Sequence, residues 1–120
     1  MNSNVYYRVS AVVGFLAVAL GAFGAHGLKE VLLRNDAVAV WQTGALYHLV
    51  HAVVLLLVAG RAPFARAAWW CFGCGTVVFS GSLYVLALTQ LKWLGMITPL
   101  GGTLLLAGWV LLALRSEHTA

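Results

Sequence analysis

The side chains able to do chemistry in this sequence sit almost entirely among apolar neighbours. Tyr47, His48 and His51 fall inside one apolar run, and Ser80, Ser82 and Tyr84 inside another; His26 closes an earlier run and Thr98 opens a later one. Polar groups in such surroundings are costly and turn inward, which makes each a candidate site residue. On a helix, His48 and His51 are three apart and share a face, while Tyr47 and His51, four apart, share an adjacent one. Histidine titrates near neutral pH, so His26, His48 and His51 suit a small binding or proton-handling pocket. The plainer alternative is that the set hydrogen-bonds internally, each interhelical bond contributing about 0.6 kcal/mol in a membrane bundle.

Cys71-Phe72-Gly73-Cys74 adds a pair of thiols at helical spacing i, i+3. With His51 nearby in depth, a Cys/His metal site or a thiol-redox centre is a further alternative. Against it, neither span offers a carboxylate to orient such ligands, and cysteine in an apolar run commonly packs as a small hydrophobe. No metal and no cofactor is expected. The acidic residues Glu30, Asp36 and Glu117 all lie outside the apolar runs, and there is no phosphate-binding loop or nucleophile elbow. The sequence therefore offers no catalytic residue and reads as non-enzymatic.

The elements that must carry these residues are set by composition. Of 120 residues, 62% are hydrophobic and 8% charged, far from the roughly 25% charged of soluble domains. The net charge of +4 comes from Lys and Arg placed singly at the ends of apolar runs, a membrane-flanking pattern and not a nucleic-acid stripe. A spanning helix needs about 20 apolar residues, and four runs qualify: about 9–25, 44–60, 67–88 and 93–114. They have no dyad alternation, so helices and not a barrel satisfy the backbone in lipid. The expected fold is all-α: one four-helix transmembrane domain over 1–120, with the bilayer as its first partner. Arg8 before the first run and small residues at its end imitate a cleavable leader, but one basic residue is a thin n-region, and the run is expected to be retained as a span.

Leu28 to Thr43 is roughly amphipathic and reads as a short helix in the interface, with Trp41 at headgroup level. Arg61-Ala62-Pro63-Phe64-Ala65-Arg66 is a tight turn, so spans two and three form a hairpin in which residue numbers summing to about 128 share a depth. That reflection puts His48 level with Ser80, and gathers the polar set as one layer beneath the surface opposite the termini. Arg8, Arg61, Arg66 and Arg115 lie on the side of the termini, against Lys29, Arg34 and Lys92 on the other, which favours cytoplasmic termini. Ala17, Gly21 and Ala25, with Gly14 and Gly24, form a small-residue flank for close packing or for a homo-oligomer. Pro99 is expected to kink or break the fourth span near its start.

Several ordered blocks carry a resemblance: Gly21-Ala22-Phe23-Gly24-Ala25-His26-Gly27-Leu28, Trp41-Gln42-Thr43 with Tyr47 and His51-Ala52, Phe79-Ser80-Gly81-Ser82-Leu83-Tyr84, Ile97-Thr98-Pro99-Leu100-Gly101-Gly102, and Gly108-Trp109. Together they resemble the YgdD-like family of small bacterial membrane proteins, a domain-of-unknown-function family with eukaryotic relatives resembling transmembrane protein 256. The resemblance implies a four-span inner-membrane protein without an assigned activity. His26, Tyr47, His51, Ser80, Ser82, Tyr84 and Thr98 fall within the matching blocks; Cys71, Cys74 and His48 do not. Two functional readings stand: a small ligand or lipid bound at the polar layer, or a component moving a small solute or protons.

Overall fold

A computed structural model describes residues 2–115; Glu117 lies outside them. The described residues form α1 (Ser3–Ala25), α2 (Lys29–Arg34), α3 (Val38–Ala59), α4 (Arg66–Thr89), a 3-10 turn at Lys92–Met96 and α5 (Thr98–Leu114). α1, α3, α4 and the unit Lys92–Leu114 are each long and apolar enough to cross a membrane. The fold is an all-α membrane helical bundle.

Two helices begin about six residues earlier than their apolar runs suggest. α1 starts at Ser3, where the Asn2 side chain accepts a hydrogen bond from the Val5 N–H, satisfying one of the first-turn donors that a helix leaves open. α3 starts at Val38, two residues after Asp36 turns the chain in a left-handed conformation (φ 50°), with Ala37 as its N-cap. The interfacial helix is therefore only the six residues of α2. Trp41, expected among the headgroups, is instead one turn inside α3 and 3% exposed.

The α3–α4 link passes through a cis Ala62–Pro63 bond, and the hairpin register follows the reflection about Pro63. Gly44 lies against Tyr84 and Leu83, and Leu55 against Gly73. Tyr6 of α1 packs on Phe64 and Trp69, with ring centroids 4.5 and 4.7 Å apart. Arg115 donates to the Pro63 carbonyl at 2.8 Å. Both ends of the described chain thus meet the link at one end of the bundle, which collects Arg8, Arg61, Arg66 and Arg115.

Small residues decide which helices touch. α1 packs on α3, α3 on α4 and α4 on α5. On α1 the contacting positions are Gly14 against Ala52 and Gly21 against Ala45, with Gly24 beneath the Trp41 indole. Ala17 is buried among them, whereas Ala25 is exposed. On the other side Gly101 abuts the backbone of Phe79, Gly108 takes the ring of Phe72, and Gly75 takes Leu105. α1 and α4, and likewise α3 and α5, do not approach backbone to backbone among the described residues. Phe72 and Leu55, fully buried, centre the core with Val54, Val58, Trp69 and Leu105. Pro99 sits in the first turn of α5, where its missing N–H costs nothing; the span is broken before it into the 3-10 turn and α5.

Candidate functional site

α3 carries the central polar residues and presents them in two directions. His48 stands ten residues from the start of α3, about 15 Å at about 1.5 Å per residue, so it lies near mid-span and deeper than a layer beneath the surface. Its Nδ1 hydrogen-bonds the Tyr84 hydroxyl of α4 at 2.8 Å, and both residues are buried. The Val13 backbone of α1 is the ring's other polar neighbour. Tyr84 also packs on Trp41, centroids 4.6 Å apart. Trp41 in turn donates from Nε1 to the Leu20 carbonyl of α1 at 3.0 Å. That reach exists because Gly24, one turn beyond Leu20, has no side chain: a Cβ there would occupy the space of the indole. His48, Tyr84 and Trp41 therefore tie α1, α3 and α4 together.

Ser80 is buried and donates to the Gly44 carbonyl of α3 at 2.7 Å. Ser82 pairs with Thr98 at 2.6 Å, joining α4 to the start of α5. These contacts fix the end of the bundle opposite the termini. A further clamp acts at that surface. The Asn35 side chain donates to the carbonyls of Ala87 and Leu88, at 3.0 and 3.3 Å, and Gln90 donates back to the Asn35 carbonyl at 3.2 Å. The last carbonyls of a helix have no intrahelical partner, and the α2–α3 connection supplies one for α4.

His51 faces the other way, toward α5. Its Nδ1 lies 2.8 Å from the Tyr47 carbonyl, and Trp109 donates from Nε1 to its Nε2 at 3.2 Å. A carbonyl only accepts and an indole N–H only donates, so these two neighbours select a neutral ring with its hydrogen on Nδ1. Tyr47 stacks on His51 with the rings 8° from parallel, and meets Phe79 of α4 at 4.7 Å. Beside this pair a pocket of about 370 Å³ opens between α3 and α5, lined by Tyr47, His51, Phe79, Pro99, Thr103 and Trp109 among others. Tyr47 and Trp109 are each nearly half exposed on it.

The polar set thus divides. His48 and Tyr84 meet at one interface, Ser82 and Thr98 at a second, and Tyr47 and His51 border the open pocket with Trp109. Ser80 bonds to backbone alone, and His26, the C-cap of α1, is exposed outside all of these groups. His48 and His51 part company because three residues turn a helix by about 60° short of a full circle, enough to aim one at α4's Tyr84 and the other at α5. Cys74 lines a pocket of about 390 Å³ between α1 and α4 with Val9, Val13 and Trp70, whereas His51 lines the one between α3 and α5. Reading polar residues alone misses Trp41, Trp109 and Asn35, although the two tryptophans stand in the ordered blocks of the sequence.

The chain matches the family model described as "Protein of unknown function (DUF423)" over residues 20–102. It is 43% identical to the UPF0382 membrane protein YwdK of Bacillus subtilis, across 94% of this chain and 96% of that protein. Identity is likewise 43% with a UPF0382 membrane protein of Haemophilus influenzae, across 94% of each chain. With the UPF0382 inner membrane protein YgdD of Escherichia coli it is 40%, across 93% of this chain and 88% of that one. No solved structure matches significantly.

Proposed function

The chain belongs to this DUF423 family of membrane proteins of unknown function, and we propose that it is a non-enzymatic protein of the bacterial inner membrane that binds a lipid-like ligand between α3 and α5. The observation that carries the reading is the pocket bordered by Tyr47, His51, Thr103 and Trp109. It opens where two helices stand apart, and its walls are mainly apolar with a few polar tips, the usual make-up of a small-ligand site. A bilayer supplies such ligands at high concentration. Both termini are cytoplasmic in this reading, supported by the four arginines at their end of the bundle and the positive-inside rule.

Passage of a solute or of protons has less support. His51 is held between Tyr47 and Trp109, His48 by Tyr84, and Ser82 by Thr98. Side chains so engaged cross-link helices and do not line a polar path.

The test is photo-crosslinking of the protein, reconstituted in vesicles, with a diazirine-bearing phospholipid, followed by mass mapping. Labels should concentrate on the facing residues of α3 and α5. Thr103→Trp, which fills the mouth of the pocket from an exposed position, should remove most of that labelling. Even labelling of all four spans, unchanged by Thr103→Trp, would overturn the reading.

A further inference from the structure

The seam between α3 and α5 continues past Trp109 toward the end of the bundle that holds the termini. There a second pocket of about 160 Å³ is lined by Val54, Leu57, Val58, Leu112, Arg61 and Arg115, and Trp109 borders it as well as the first. Arg61 directly follows Gly60, the C-cap of α3, and Arg115 is the C-cap of α5, so both guanidinium groups stand at headgroup level beside an apolar cleft. Arg115 donates one N–H to the Pro63 carbonyl at 2.8 Å, which anchors its side chain over the cleft. An arginine carries five N–H donors in a planar fork, and the fork geometry matches phosphate oxygens.

The length of the seam fits one leaflet. From Arg61 to His51 is ten residues of α3, about 15 Å, or half of a hydrocarbon core about 30 Å thick. A phosphate held at Arg61 and Arg115 would lay its acyl chain down the Val54, Leu57, Val58 and Leu112 wall and end it at Trp109 and His51. We infer that this seam is a binding site for an anionic phospholipid of the leaflet facing the termini, with its phosphodiester on Arg61 and Arg115. The inference rests on the proposed lipid site between α3 and α5, and adds to it the headgroup and the end from which the lipid is held.

Basic pockets between transmembrane helices favour anionic headgroups, and two arginines at one phosphate set the expected scale of preference at about tenfold. The experiment uses the full chain in vesicles with two photoactivatable lipids of identical acyl chains, phosphatidylglycerol and phosphatidylcholine. Phosphatidylglycerol should label the α3–α5 seam about tenfold more than phosphatidylcholine. The double variant Arg61→Gln, Arg115→Gln should reduce phosphatidylglycerol labelling to the phosphatidylcholine level, and Arg61→Lys, Arg115→Lys should restore part of the preference. Soluble glycerol phosphate in excess should not compete, because it lacks the chain; competition would mean a free-phosphate site and overturn the lipid assignment. Equal seam labelling by the two lipids in the wild type overturns the headgroup inference while leaving the α3–α5 site standing. No seam labelling by either lipid overturns both.

Discussion

Replacing Gly101 by alanine tests the glycine packing at its least yielding point. A Cβ added there meets the backbone of Phe79, 2.7 Å from its Cα, about 1 Å inside an ordinary carbon contact of about 3.5–4.0 Å. No change of rotamer moves a backbone, so α5 must shift off α4. Overpacking costs about 1–3 kcal/mol, and an obstacle made of backbone belongs at the upper end. Alanine returns up to about 1 kcal/mol of helix propensity, which leaves a net loss of about 2 kcal/mol, up to about a thirtyfold change in the folded-to-unfolded ratio. Gly81 is the control: it is interior to α4, and a Cβ there meets nothing within 4 Å. Gly81→Ala should be neutral or stabilising by up to about 1 kcal/mol. Reversible unfolding in mixed micelles, followed by circular dichroism against the fraction of denaturing detergent, measures both. A wild-type midpoint for Gly101→Ala, or an equal loss in both variants, would refute the packing argument.

Other substitutions probe the buried polar contacts. Tyr84→Phe removes the hydroxyl bonded to His48 and keeps the ring against Trp41; the expected loss is about 0.6–1.7 kcal/mol, and the same unfolding assay showing none would mean that the bond does not stabilise the bundle. The Thr76 hydroxyl is buried without a hydrogen-bond partner among the described residues. Its isosteric replacement, Thr76→Val, should raise stability by about 1 kcal/mol, whereas a loss of that size would point to a bridging water.

The features that sequence reveals here are those that lipid imposes one segment at a time. Continuous apolar runs declare the four spans, and the Pro63 turn sets the register that puts Gly44 against Tyr84. Helix starts are less legible, because polar residues such as Gln42 and Thr43 can continue a helix on its exposed side; α3 keeps both in its second turn. The small-residue flank shows a similar limit. A spacing of four, as in Ala17, Gly21 and Ala25, drifts by about 40° at each step, and Ala25 is carried out to the exposed side. The alternation of three and four in Gly14, Ala17, Gly21 and Gly24 stays on α3. Pairings such as Gly24 with Trp41, or Asn35 with the end of α4, join segments whose sequence patterns are independent, so neither partner announces the other.

The same glycines that close the bundle also account for its open seams. Gly101 and Gly108 draw α5 so closely onto α4 that it stands away from α3, and the α1 flank draws that helix onto α3 and away from α4. Indoles bridge both gaps: Trp109 reaches from α5 to His51, and from α4 Trp69 reaches Ser10 and Trp70 the Tyr6 hydroxyl of α1, at 3.0 and 3.3 Å. Trp69 is buried under Tyr6, with Ser10 itself donating to the Tyr6 carbonyl, whereas Trp70 beside it is 45% exposed. Trp109 is likewise 45% exposed. Both seams thus present an exposed indole, and the one between α3 and α5 is distinguished by the two arginines, Arg61 and Arg115, that line its end. Trp109 lines both stretches of that seam and donates to His51, so the proposed lipid and the orientation of His51 meet at one residue.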